Sequence, residues 1–262
     1  MSDVLDLKTL DAAGRAALER LIVTLADSKR LMGIRYSDWL LGAPSIETGI
    51  SASSMAQDEW GHARLLYSML KDLDKDPVPY EHDRASEAYA SVSVLDEEMP
   101  DWAALVAAMT LADGALSTVL RSFSEGTFET ARSRVPKMLA EEEFHSSLGA
   151  AWYRRLADTD GEARELLTAA TKSMLPSLLA WVGADDGAAH AMVDAGVIAP
   201  AAERLATYRD AMRDLVALVG VDVDAVEPAS EWDPTRGRAP GQPAEESVER
   251  ARGDRNRALF VE

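Results

Sequence analysis

The chain has 262 residues, 47% of them hydrophobic, with 45 acidic against 27 basic side chains for a formal charge of −18. Such a surface repels phosphate backbones and anionic membranes, so neither nucleic acid nor a membrane surface is expected as a partner, and no uncharged run approaches the roughly 18 apolar residues of a membrane span. The absence of cysteine removes disulfides, thiolate nucleophiles, Fe–S clusters and Cys-type zinc sites, which leaves histidine and carboxylate chemistry.

The first residues, "MSDVLDLKTLDAAGR", start acidic and lack a basic-then-apolar export signal, so the expected location is the cytoplasm. From there the dominant hydrophobic period is helical. Leu18, Leu21, Ile22, Leu25, Met32, Tyr36 and Trp39 recur at three- and four-residue spacing and predict a first helix over about 9–42. "GAPS" is a turn with Ser45 as N-cap, and a second helix follows to about residue 72. Residues 73–100 are polar and proline-punctuated and read as a long crossover with at most a short helix. A third helix spans about 101–124, "SEGT" turns the chain, and a fourth runs over about 128–158. Two or three further helices fit 162–183 and 187–220. From 222 onward the chain reads as loop or tail, with room for a short helix near 243–258.

Two long helical pairs joined by one long crossover define an all-α, ferritin-like four-helix bundle, extended by C-terminal helices and an irregular tail. The expected organisation is one helical domain over 1–222, its core bundle at about 9–158, and an extension over 223–262.

Two motifs stand out against that background. Glu59 precedes His62 by three residues in "AQDEWGHARLL", and Glu142 precedes His145 by three in "KMLAEEEFHSSLG". The other two histidines, His82 and His190, have Pro79 and Gly187 at that offset and read as surface or loop residues. Glutamate and histidine at i and i+3 share a helix face, so both can reach one metal ion. Di-iron carboxylate bundles combine two such helices with one acid from each of the other two.

The position of those acids follows from helix register, because antiparallel helices rise equally from their connecting turn. Reflecting Glu142 through the turn near Gly126 lands close to residue 111, beside Asp113. Asp113 interrupts the apolar stripe Trp102, Leu105, Val106, Met109, Leu116, Leu120 and Phe123, so its carboxylate faces the core, where an unpaired charge is expensive. Reflecting Glu59 through Pro44 lands near Lys29, so the fourth acid is replaced by an ammonium group. Asp27 is about 200° away around the helix, which puts it on the outer face. Tyr36 lies about two turns from Lys29 on the same face, as a core residue or as a gate for substrate or protons. Trp39, Trp60, Trp102, Trp152 and Trp181 read as packing residues.

These residues resemble the phenylacetic acid catabolic proteins, which include the catalytic and structural subunits of bacterial phenylacetyl-CoA epoxidase. "LADSKRLMGIRYSDWLLGAP" resembles the first helix of the structural-type subunit. "QDEWGHARLLYS", "EEEFH" and "LADGA" resemble the metal-binding helices of the catalytic subunit. The resemblance is good over roughly 17–155 and loose beyond. It carries the family's metal ligands over to Glu59, His62, Asp113, Glu142 and His145, and departs at Lys29, where the catalytic subunit has glutamate.

The family implies a multicomponent, non-haem iron oxygenase that epoxidises a CoA-thioester-linked aromatic ring. Electrons come from a separate reductase, and the partner is a homologous ferritin-like subunit or a second copy. Charge counting then favours one iron, with manganese as the alternative ion, held mainly by Asp113, Glu142 and His145. Lys29 would stand near the other position, with Glu59 and His62 contributing from that side. Two readings compete with this. In one, a non-catalytic structural subunit has its vestigial site stapled by Lys29–carboxylate ion pairs and binds no metal. The other, an iron-storage or ferroxidase protein, requires a shell-forming oligomer.

Overall fold

Capping side chains set where the helices begin. In the computed structural model, which describes residues 4–253, Asp11 accepts a hydrogen bond from the Gly14 amide and opens α1 (Ala12–Asp38). Ser45 accepts from Thr48 and opens α2 (Ile46–Ser68), as the sequence predicts. The crossover that follows is not irregular throughout: a 3₁₀ turn over Met69–Leu73, the short α3 (Pro77–His82) and two further 3₁₀ turns punctuate it. Asp101 then caps α4 (Trp102–Ala107). A π-turn over Ala108–Ala112 joins α4 to α5 (Asp113–Glu125) without a break in the rod. The fourth long helix is α6 (Glu129–Ala157).

The bundle is two antiparallel hairpins. The α1–α2 pair packs most extensively, followed by α5–α6, and the two hairpins meet through α1–α5 and α2–α6. Close packing of α1 on α2 depends on Gly33, where an added Cβ would lie 2.4 Å from Trp60 Nε1. At the other hairpin, an added Cβ on Gly126 would lie 2.0 Å from the Val197 carbonyl oxygen, so the α5–α6 turn admits no side chain. The stripe predicted for the third helix is buried from Leu105 to Phe123, with Trp102 half-buried at its end. By length and composition Trp102–Glu125 could cross a membrane. Here 89% of its apolar window is covered by protein, as for the core helix of a bundle.

The C-terminal region adds α7 (Glu162–Val182), α8 (Gly187–Asp194) and α9 (Ala201–Ala217). The single predicted stretch 187–220 is divided at Gly196 and Pro200, the glycine adopting a φ of 68°. The segment beyond residue 222 is packed against the bundle. Buried Arg238 pairs with Asp96 of the crossover, and buried Arg35 of α1 donates to Ser247 in α10 (Glu245–Arg252). The expected short helix near 243–258 corresponds to α10; its last residues lie outside the described ones. Among the described residues there is no strand, only an isolated bridge between Asp233 and Arg238.

One placement corrects the sequence reading. Asp27 does point away from the helix face that carries Lys29, but it is not solvated; it is fully buried. The crossover folds over it, and its carboxylate accepts from Arg84, from the Tyr67 hydroxyl and from the Ala90 amide. Helical geometry gave its direction correctly. Long-range packing then covered the face it points to.

Gly33→Ala tests the close α1–α2 approach. The added methyl forces Trp60 to shift, and overpacking of this kind costs about 1–3 kcal/mol. A lowered urea midpoint with unchanged slope is the expected result.

Candidate metal centre

Residue pairs across each hairpin hold a nearly constant register, and this brings the predicted site together. Lys29 of α1 faces Glu59 of α2, Asp113 at the start of α5 faces His145 of α6, and the two hairpins close on one another in the core. Suitable donor atoms of Glu59, Asp113, Glu142 and His145 all lie within 4.8 Å of one another, and all four residues are buried. His62 stands at the edge of this group, with Nδ1 3.0 Å from Glu142 Oε1 and 3.8 Å from Glu59 Oε2.

Lys29 occupies the middle of the cluster rather than one side of it. Its ammonium donates to Glu142 Oε1 at 2.5 Å, Asp113 Oδ1 at 2.6 Å and Glu59 Oε1 at 3.1 Å. Three N–H groups thus meet three carboxylates, with the lysine side chain 0% exposed. Burial opposes the charge on Lys29, but Asp113, Glu142 and Glu59 outweigh it and hold the ammonium well above its ordinary range. Burial likewise opposes the Glu142 carboxylate, yet Lys29 and the nearby imidazoles hold it well below the usual range. Asp113 goes the other way: burial, then repulsion by Glu142, push it up to about 6 despite Lys29.

Both histidines turn Nδ1 inward. His145 Nδ1 is 3.3 Å from Glu142 Oε2, 3.4 Å from Asp113 Oδ2 and 3.6 Å from Glu59 Oε1. Burial disfavours protonation, but the surrounding carboxylates push His145 up to about 12 and His62 up to about 10. With both imidazoles protonated, three positive groups therefore balance three negative ones.

Two outer carboxylates complete the arrangement, and sequence reasoning missed them. His62 Nε2 is 2.8 Å from Glu141 Oε2, and His145 Nε2 is 3.3 Å from Asp58 Oδ2. The pairing is crossed, since each acid serves the histidine of the opposite helix. The sequence carries a signal for it: each motif glutamate is preceded by a second acid, giving Asp58–Glu59 and Glu141–Glu142. Side chains of Asp58 and Glu141 are 36% and 37% exposed, so the buried centre lies one side chain from water along the α2–α6 seam.

Tyr36 is fully buried. Its hydroxyl donates to Asp113 Oδ2 at 3.2 Å, and its ring meets His145 edge-on with centroids 6.0 Å apart. Neither other histidine approaches the cluster: His190 is exposed against Asp185, and half-buried His82 ends α3.

The donor set could hold a metal ion. Glu59 Oε2, Glu142 Oε2, His62 Nδ1 and His145 Nδ1 are buried without a well-aligned hydrogen-bond partner, and carboxylate oxygen with imidazole nitrogen suits iron or manganese. The set does not fit a second ion bridged by a carboxylate from α1, because the ammonium of Lys29 stands there.

In comparisons with known proteins, the sequence model of the phenylacetic acid catabolic protein family matches residues 1–250. No curated protein matches the chain.

Two substitutions probe the centre. Lys29→Met removes one of the three positive groups that balance the three buried carboxylates, and loss of one partner from such a cluster costs about 3–5 kcal/mol. Denaturation in the presence of a chelator should show that loss. Outside the cluster, Asp58→Ala and Glu141→Ala free the imidazoles they hold. Competition with a metal-chelating dye should show affinity lowered about 10–100-fold in each, as for other outer-shell partners of ligating histidines.

Proposed function

The chain belongs to the phenylacetic acid catabolic protein family, and from that premise we propose that it is a cytoplasmic subunit of a multicomponent, non-haem iron oxygenase. Its core would hold one divalent ion beside Lys29. The observation that carries this reading is the convergence in one buried cluster of ligand atoms from Glu59, Glu142 and His145 that no hydrogen bond occupies. Electrostatics supports one ion. Asp113, Glu142 and Glu59 bring three negative charges, and a divalent cation with Lys29 brings three positive ones once the imidazoles are neutral.

In this reading Asp113, Glu142 and His145 are the principal ligands, with Glu59 and His62 contributing beside them. An iron ion held there supplies the binding and reduction of dioxygen. The protein's own groups prepare that chemistry. Lys29 fixes a positive charge where the family's catalytic subunit has a ligand. Glu141 and Asp58 hold the imidazoles with Nδ1 inward, while the protonated Tyr36 hydroxyl donates to Asp113 Oδ2 and fixes that carboxylate's orientation. Side-chain exposures of 4% or less at Lys29, Glu59, Asp113 and Glu142 keep bulk water from the centre. By family resemblance the substrate is an aromatic CoA thioester, the electron source a reductase, and the partner a homologous ferritin-like subunit or a second copy.

A second reading is favoured by one observation: the three hydrogen bonds of Lys29 engage one oxygen of each of the three carboxylates at once. Under it the chain is a structural subunit, stapled at its core and free of metal. Metal analysis of protein expressed with iron and with manganese separates the two. About one tightly bound ion per chain is expected, and none would establish the structural reading. Lys29→Glu should raise the content to about two, because it restores the missing carboxylate; a destabilised, metal-free variant would count against both the ligand geometry and the oxygenase reading.

A further inference from the structure

Four oxidisable aromatic side chains lead from the carboxylate–histidine cluster to the surface. Tyr36 touches the cluster through Asp113 and His145. Trp39 follows it by three residues as the C-cap of α1, its amide donating to the Tyr36 carbonyl at 3.2 Å. Trp39 and Trp102 have ring centroids 5.9 Å apart, and Trp102 and Trp152 5.3 Å apart, both edge-on. Tyr36 is fully buried and the three tryptophans are half-buried. These four residues come from α1 and its C-cap, α4 and α6, so the alignment is a product of the tertiary fold. Phe144 also approaches His145, at 6.4 Å, and is exposed, but a phenyl ring is too hard to oxidise to serve as an alternative route.

We propose that Tyr36, Trp39, Trp102 and Trp152 form a one-electron relay between the buried centre and solvent, which drains oxidising equivalents when no substrate is there to consume them. The inference rests on the reading of the centre as a redox-active metal site, although the relay can be tested without metal. The oxidant is the metal ion after oxidation by dioxygen, and the terminal reductant is a low-molecular-weight thiol. One electron leaves Tyr36 for the centre as the phenolic proton crosses the 3.2 Å hydrogen bond to Asp113 Oδ2. An electron from Trp39 and the return of that proton restore the phenol. Electrons from Trp102 and then Trp152 move inward in turn, and a thiolate re-reduces Trp152, leaving as a thiyl radical; the thiyl radicals of two such turnovers combine to a disulfide. The net change is one electron gained by the centre and one lost by the thiol.

One local feature favours passage over trapping. Trp102 Nε1 is buried without a hydrogen-bond partner, so the oxidised indole has no base to take its proton and retains the driving force to oxidise its neighbours.

The test is photo-oxidation of the full chain from solution with tris(bipyridine)ruthenium and persulfate, followed by freezing and electron paramagnetic resonance. A hole entering at Trp152 runs inward and comes to rest as a tyrosyl radical, assigned to Tyr36 by its loss in Tyr36→Phe. In Trp102→Phe the Tyr36-dependent signal should be lost while an indolyl signal remains; Trp39→Phe makes the same break if the first variant does not fold. A Tyr36-dependent signal of full intensity in both tryptophan variants, or none in the unsubstituted chain, would overturn the relay. Chelator-treated and iron-loaded protein are compared side by side. A relay that operates in a chain unable to bind metal removes the oxygenase reading alone, whereas a metal-binding chain without the Tyr36 signal removes the relay alone.

Discussion

The ammonium of Lys29, surrounded by Glu59, Asp113 and Glu142, is the interaction on which the core depends. Three carboxylates facing one another in the interior would repel strongly and could not all remain ionised. One buried cation among them lowers that cost and also fixes where each helix stands, because the three acids belong to α2, α5 and α6 while the lysine belongs to α1. The charge cluster is therefore a four-way tie between the helices of the bundle. Buried ion pairs of this kind need not add net stability over an apolar core, but removal of one member strands the others.

The same cluster shapes the chemistry available to the chain. Lys29 satisfies one oxygen of each carboxylate and leaves Glu59 Oε2, Glu142 Oε2 and the two inward imidazole nitrogens without partners. Charge balance can be met by two imidazole protons or by one divalent ion, so a metal and a pair of protons compete for one electrostatic role. Membership of the phenylacetic acid catabolic protein family and a buried cluster able to hold a metal are the grounds of the oxygenase proposal. The crossed acids, Asp58 on His145 and Glu141 on His62, hold both imidazoles with Nδ1 toward the cluster.

Around the centre, charged contacts fasten the less regular parts of the chain to the bundle. Asp27 draws the crossover down through Arg84 and the Ala90 amide. Asp96 and Arg238 then bind the crossover to the segment beyond the last long helix. A crossover rich in proline and polar residues can lie flat against helices because its backbone and side chains find such partners.

Much of this was legible in the sequence because it depends on local periodicity. Hydrophobic spacing gave the long helices, the Ser45 cap gave one of their starts, and equal rise from the connecting turns placed Asp113 and Lys29 opposite the two Glu-x-x-His motifs. The periodicity carries no information on three other points. It could not show that Lys29 would reach all three carboxylates, which depends on how the two hairpins close and how the side chain extends. Nor could it show that Asp27 would be covered, because the covering residues lie some sixty positions away. The π-turn before Asp113, the crossed pairing of Asp58 and Glu141, and the alignment of Trp39, Trp102 and Trp152 were set by the rotation of one helix against another. The sequence by itself determined which residues share a helix face and at what depth; the tertiary structure decided which of them touch, because contact distance depends on the mutual rotation and closure of helices far apart in the chain.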